Sequence, residues 1–110
     1  PYLAKLKMHD NLLSSYTAGN LKDNLRLKNV DFSNNRLRDT IATQLIYDLY
    51  ENYQARPRSG VTIDFLGQSD PNGLGTLSQS AVETDGTTGE QSSANKVAAL
   101  RNNGWTILLD

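Results

Sequence analysis

Leu3-x-x-Leu6-x-Met8-x-x-Asn11-x-Leu13 returns 24 residues later as Leu27-x-x-Val30-x-Phe32-x-x-Asn35-x-Leu37. This repeat constrains the fold more than any other feature of the chain. Within each copy, apolar residues two apart point to one side of an extended strand. A fixed register between copies requires each strand to re-enter from the same end, so neighbouring strands run parallel. A third copy starts at Gly60 as Gly60-Val61-Thr62-Ile63-Asp64-Phe65-Leu66-Gly67-Gln68, and a last strand closes the chain as Gly104-Trp105-Thr106-Ile107-Leu108-Leu109-Asp110. The expected fold class is α/β: a short solenoid of about four parallel strands, with helices and loops on its convex side. Leu6, Val30, Ile63 and Ile107 should form one buried column.

The repeats run over about 3–26, 27–59 and 60–103, with a terminal strand at 104–110, inside one domain spanning 1–110. They lengthen only in the returns between strands, where insertions leave the ladder intact. In the first return Leu21 and Leu25 are the apolar anchors, and Gly19-Asn20 predicts a turn followed by a short helical piece. In the second, apolar residues at 41, 42, 45, 46, 49 and 53 form one stripe at helical period, with Gln44, Asp48, Glu51 and Asn52 opposite. Asp39 or Thr40 is the expected cap, and Pro57 ends the helix near Arg56. Residues 67–93 hold five of the eight glycines and read as a long irregular loop pinned by Leu74, Leu77 and Val82. A final helix over about Ser92–Asn102 presents Ala94, Val97, Ala98 and Leu100, and Asn103-Gly104 stops it.

Composition narrows the function. A net charge of −1 with scattered Lys and Arg gives no basic patch for nucleic acid. The apolar runs are far shorter than the roughly 20 residues that cross a bilayer. Without cysteine there is no thiol chemistry and no zinc ribbon, and the single His9 cannot make a transition-metal site without other ligands. Asp70, Glu83, Asp85 and Glu90 lack calcium-loop spacing, and Gly73-x-Gly75 lacks the rest of a dinucleotide fingerprint. The expectation is no cofactor, no metal and no catalytic set.

The outward strand positions form columns: Lys5, Asn29, Thr62, Thr106, then Lys7, Asp31, Asp64, Leu108, then His9, Ser33, Leu66, Asp110. Stacked strands place equivalent residues about 4.8 Å apart. The candidate binding face is therefore Lys5, Lys7, His9, Asn29, Asp31, Ser33, Thr62, Asp64 and Leu66. Asp31 beside Asp64 could share a proton or hold a hard cation. The alternative, which the sequence favours, is a solvated pair relieved by Lys7. Tyr47 and Tyr50 lie off the apolar stripe of the long helix and read equally as interface anchors or as cover for a neighbouring return, while Tyr53 lies on the stripe.

The pattern L-x-x-L-x-L-x-x-N-x-L resembles that of leucine-rich repeats. The later part is similar to the end of irregular leucine-rich-repeat proteins of bacterial surfaces and phage virions: a strand, a Gly/Ser/Asn-rich loop, a helix and a Gly-Trp-Thr-Ile-type strand. The resemblance implies that Asn11 and Asn35 are structural ladder residues, with Gln68 where the family carries asparagine. It also implies a non-enzymatic protein-interaction or adhesion module, part of a virion (phage tail or fibre) or an extracellular cell-surface protein. The partner would be another protein or a surface glycan, with no nucleic acid and no membrane insertion. The alternative is a structural docking element inside an assembly. The chain reads as the C-terminal part of a larger protein, with further repeats or a second subunit expected at the edge of the first strand.

Overall fold

The computed structural model describes residues 3–14, 16, 19, 21–84 and 92–110. Its order is β1 (Lys5–Lys7), β2 (Asn29–Asp31), a 3-10 turn (Asp39–Ile41), α1 (Ala42–Ala55), β3 (Thr62–Asp64), α2 (Gln79–Glu83), α3 (Ser93–Asn102) and β4 (Thr106–Leu108). The four strands form one open, all-parallel sheet in chain order β1-β2-β3-β4. Leu6 pairs with Val30, Val30 with Ile63 and Ile63 with Ile107, the register that the repeat predicts.

The reason is side-chain alternation. Val30, Ile63 and Ile107 are buried and Leu6 is half-buried on one face, while their strand neighbours turn outward. A second inward column is visible in the stacked rings of Phe32 and Phe65, whose centroids lie 6.0 Å apart at an interplanar angle of 2°. Both columns belong to a single apolar core with the buried residues of α1 (Leu45, Ile46, Leu49) and of α3 (Val97, Leu100). Helix α3 packs beside α1, and α2 touches both.

Several details differ from the sequence reading. Neither Asp39 nor Thr40 caps α1: the chain enters through the 3-10 turn, where the Ile41 N–H donates to the Arg38 carbonyl, so a side-chain cap is not used. Asp48 and Asn52, expected on the solvent side of α1, are buried. The first return lies over them, and its backbone groups need polar partners there. That return consists of turns, with no helix among its described residues; Asn20 lies outside them. The described part of the stretch 67–93, residues 67–84 and 92–93, is less irregular than expected. Ser78 accepts a hydrogen bond from the Ala81 N–H and starts α2, which is anchored by fully buried Leu77 and Val82. Leu74, by contrast, is 55% exposed and pins nothing. Ala98 is exposed on α3, which Ser92 caps through the Asn95 N–H. Residues 85–91, including the loop acids Asp85 and Glu90, lie outside the described residues. Among the described residues no helix is long and apolar enough to cross a membrane.

One glycine has a steric duty. Gly104 has φ +86°, and a Cβ there would sit 2.6 Å from the Ser59 side chain. Its carbonyl accepts from the Gly60 N–H at 2.9 Å, so this close passage locks the start of β4 to the start of β3.

Candidate functional site

Outward side chains of β1, β2 and β3 line a shallow depression of about 330 Å³ bounded by Lys5, Lys7, Asn29, Asp31, Thr62 and Asp64. The pairings Lys5–Asn29–Thr62–Thr106 and Lys7–Asp31–Asp64–Leu108 set these groups in two rows across the sheet. One row carries an ammonium, an amide and two hydroxyls. The other runs from positive at Lys7 to negative at Asp31 and Asp64. Such a surface can donate to and accept from a polyol or a polar peptide backbone.

The carboxylates are partly committed. Asp31 Oδ1 accepts from the Ser33 N–H at 3.0 Å and from the Ser33 hydroxyl at 2.6 Å. Asp64 Oδ1 accepts from the Leu66 N–H at 2.9 Å. Both are Asx-type turns that end their strands. The Ser33 hydrogen bond holds the Asp31 carboxyl below the usual range, with His9 and Lys7 adding smaller attractions. His9 Nδ1 lies 2.7 Å from Asp10 Oδ2, and that hydrogen bond, with a second from Asn34, keeps the Asp10 carboxyl low as well. Among the described residues no group of three or more His, Cys, Asp or Glu side chains could hold a metal ion. The shared-proton and cation readings of Asp31 and Asp64 gain no support from this geometry. Leu66 is exposed at the rim, and Ser33 is drawn into its own turn.

Behind the face lies a polar ladder. Asn35 is 1% exposed. Its amide nitrogen donates to the carbonyls of Met8 at 2.8 Å, Phe32 at 3.0 Å and Ser33 at 3.3 Å. Its Oδ1 accepts from the Leu13 N–H at 3.2 Å. Gln68 repeats this one strand on: Nε2 donates to Phe32 and Phe65 carbonyls, both at 2.9 Å, and Oε1 accepts from the Leu37 N–H at 3.0 Å. One extra methylene therefore leaves the function intact. Asn11 donates to the carbonyls of its own turn, Met8 at 3.0 Å and His9 at 3.1 Å, but is exposed. The residue before each ladder position is left-handed: Asp10 at φ 58°, Asn34 at φ 56° and Gly67 at φ 75°. Asp, Asn and Gly are the residues that tolerate this conformation. This extension of the repeat by one position was legible in the sequence and was missed.

Comparison with models of known protein families, with curated proteins and with solved structures finds no match.

Two further clusters escaped the sequence reading. On the first return, the Tyr16 hydroxyl and the Gly19 N–H both donate to buried Asp48, and the Leu21 N–H donates to the Tyr16 oxygen. Burial, then the Asp48 carboxylate, push the Tyr16 phenol well above its ordinary value. On the other side, Lys96 of α3 lies over two rings of α1, Tyr47 at 4.7 Å and Tyr50 at 4.6 Å. Tyr47 and Tyr50 thus serve as intramolecular cover, and Tyr53 meets Trp105 edge-on at 6.1 Å. Helical spacing of tyrosines on α1 was visible, but a lysine from a separate element was not.

Proposed function

We propose that this chain is a non-enzymatic interaction module, a short leucine-rich-repeat solenoid whose strand face contacts another protein or a surface glycan. The observation that carries the reading is the pair of polar rows on the outer face, held in register from Lys5 to Thr106 and from Lys7 to Leu108. The ladder of Asn11, Asn35 and Gln68 supports the repeat assignment, because each residue serves the same backbone positions of its own turn. A binding role is further favoured over acid–base chemistry because the Asp31 and Asp64 carboxylates each spend an oxygen on a strand-ending turn. The setting, a virion or an extracellular cell surface, follows from the family resemblance. The second reading, structural docking within an assembly, is favoured by one observation: Leu3 at the β1 edge is 41% exposed, whereas its equivalent Leu27 is 1% exposed.

An array of bacterial surface glycans, probed with the purified chain, tests the first reading. The chain should bind a small subset, and Asn29→Arg, which places a long cation on an exposed position of the face, should weaken that binding about tenfold, near 1.4 kcal/mol. Ala98→Arg, on the exposed side of α3, should bind as the parent does. Binding that survives Asn29→Arg, or an array with no bound member, overturns the glycan reading.

A further inference from the structure

We infer that the turns beyond the carboxyl ends of β1, β2 and β3 form a second contact, a cradle built on Arg36 and Arg38 for the carboxylate of an acidic sugar. The inference rests on the interaction-module reading above and adds to it a site away from the strand face.

The repeat itself builds this cradle. Past each ladder residue the chain alternates once more: Leu13 is half-buried and Leu37 buried, while the residues flanking them remain accessible. Leu12, Arg36 and Ser69 each follow a ladder position by one residue, and Ser14, Arg38 and Pro71 by three. Hydrogen bonds between neighbouring turns keep these rows aligned. The Arg36 N–H donates to the Leu13 carbonyl at 2.7 Å, and the Ser69 N–H to the Asn35 carbonyl at 2.9 Å. Both rows line one hollow of about 250 Å³, which Asn72 and Leu74 complete. This is smaller than the roughly 300–1,000 Å³ of sites for drug-sized ligands, and suits a single sugar ring.

The charges in this hollow are unbalanced. Asp70 is the acid on its wall, and both of its oxygens serve the backbone. Oδ1 accepts from the Leu74 N–H at 2.8 Å and Oδ2 from the Gly75 N–H at 2.9 Å. Asp39, next in sequence to Arg38, lines a different hollow with Thr40 and Thr43. Among the described residues neither guanidinium has a carboxylate within ion-pair distance, and the enclosed Nε of Arg38 has no hydrogen-bond partner. A guanidinium partly withdrawn from water and left unpaired is costly, and a planar carboxylate on its fork offsets that cost. The rest of the hollow selects a sugar. Ser14, Ser69 and Asn72 carry groups that both donate and accept, which matches ring hydroxyls. The Ser69 hydroxyl already donates to the Asn35 carbonyl at 3.2 Å, so it is left as an acceptor. Leu12 and Leu74, 70% and 55% exposed, offer apolar surface to the C–H face of the ring. An inorganic anion would use none of these groups.

Titration of the isotopically labelled chain with a tetrasaccharide containing glucuronic acid, followed by amide nuclear magnetic resonance, reads this site and the strand face separately. The amides of Arg36, Arg38, Ser69 and Leu74 should move, with an affinity at least about tenfold above that for the glucose tetrasaccharide of the same linkage. Arg36→Gln and Arg38→Gln should each weaken this binding about fivefold or more. Arg38→Lys, which keeps the charge and loses the fork, should fall between Arg38→Gln and the parent. Arg36 is exposed, so its variant should melt as the parent does and separates binding from folding. Equal affinity for the neutral tetrasaccharide, or binding unchanged in both glutamine variants, overturns the inference. Inorganic phosphate that binds as tightly overturns it in favour of a general anion site, and a hexaglutamate peptide that binds more tightly overturns it in favour of a protein partner. Amides of the cradle that stay still overturn it as well. If those of Lys5, Asn29 and Thr62 move alone, the strand-face reading stands while this one fails.

Discussion

Asn35→Ala will lose about 2–3 kcal/mol of stability, a shift of about 1–2 M in the urea midpoint, while Asn34→Gly will lose a few tenths of a kcal/mol. The two side chains are adjacent and chemically identical, so the comparison isolates position. Asn35 is enclosed, and its amide serves Met8, Phe32 and Ser33 carbonyls and the Leu13 N–H. Alanine supplies none of these bonds. The Phe32 carbonyl retains a partner in Gln68, which keeps the loss below the sum of four broken bonds. Asn34 is exposed at φ 56°. Glycine is the fair control there, because alanine would add left-handed strain of its own. Coincident midpoints for the two variants would show that the ladder contributes nothing beyond water.

Asn52→Ala will cost a comparable amount and loosen one segment selectively. Asn52 is 0% exposed. Its amide nitrogen donates to the Leu21 and Asn24 carbonyls, both at 2.9 Å, and its Oδ1 accepts from Arg58 at 2.7 Å. One α1 side chain thus clamps the first return, which has little apolar surface to hold it. Removing the amide leaves the Leu21 and Asn24 carbonyls with only their turn bonds from the Asn24 and Leu27 N–H groups, and leaves Arg58 with only the Arg56 and Leu27 carbonyls, a loss of about 1–3 kcal/mol for bonds this deeply enclosed. Trypsin should then cut after exposed Lys22 several-fold faster than in the parent, while sites on α3 keep their rate. Unchanged digestion at Lys22 together with an unchanged urea midpoint would sink this assignment.

The sheet was legible in the sequence because a parallel strand makes the same demands each time it recurs. Leu6, Val30, Ile63 and Ile107 meet one requirement, an apolar group facing the core, and Asn35 and Gln68 meet another, an amide at the turn. Any residue that satisfies the demand preserves the pattern, which is why Gln68 could be placed. The polar side of α1 was not legible. Hydropathy assigns Asp48 and Asn52 to water, yet the return above them consists of backbone that requires acceptors and donors. The decisive information lay in that return, where Tyr16 and Leu21 carry no periodicity. Helix α2 is five residues long, too short for a period of 3.6 to declare itself, although Ser78 marked its start. Strand alternation placed the outer rows of the candidate site.

Trp105 gives the molecule an optical asymmetry. It is the only tryptophan and is 2% exposed. Its ring sits under the Arg58 guanidinium at 5.2 Å, with its Nε1–H donating to the Arg58 carbonyl at 2.9 Å. It lies at the start of β4, three strands from β1. Emission from this ring therefore reports the far end of the sheet and is silent about fraying at the near one. Far-ultraviolet dichroism averages over every peptide bond. A melt followed by both signals will separate into an early dichroic change and a later fluorescent one wherever β1 opens first, and a single apparent midpoint from fluorescence alone will overstate the cooperativity of the whole.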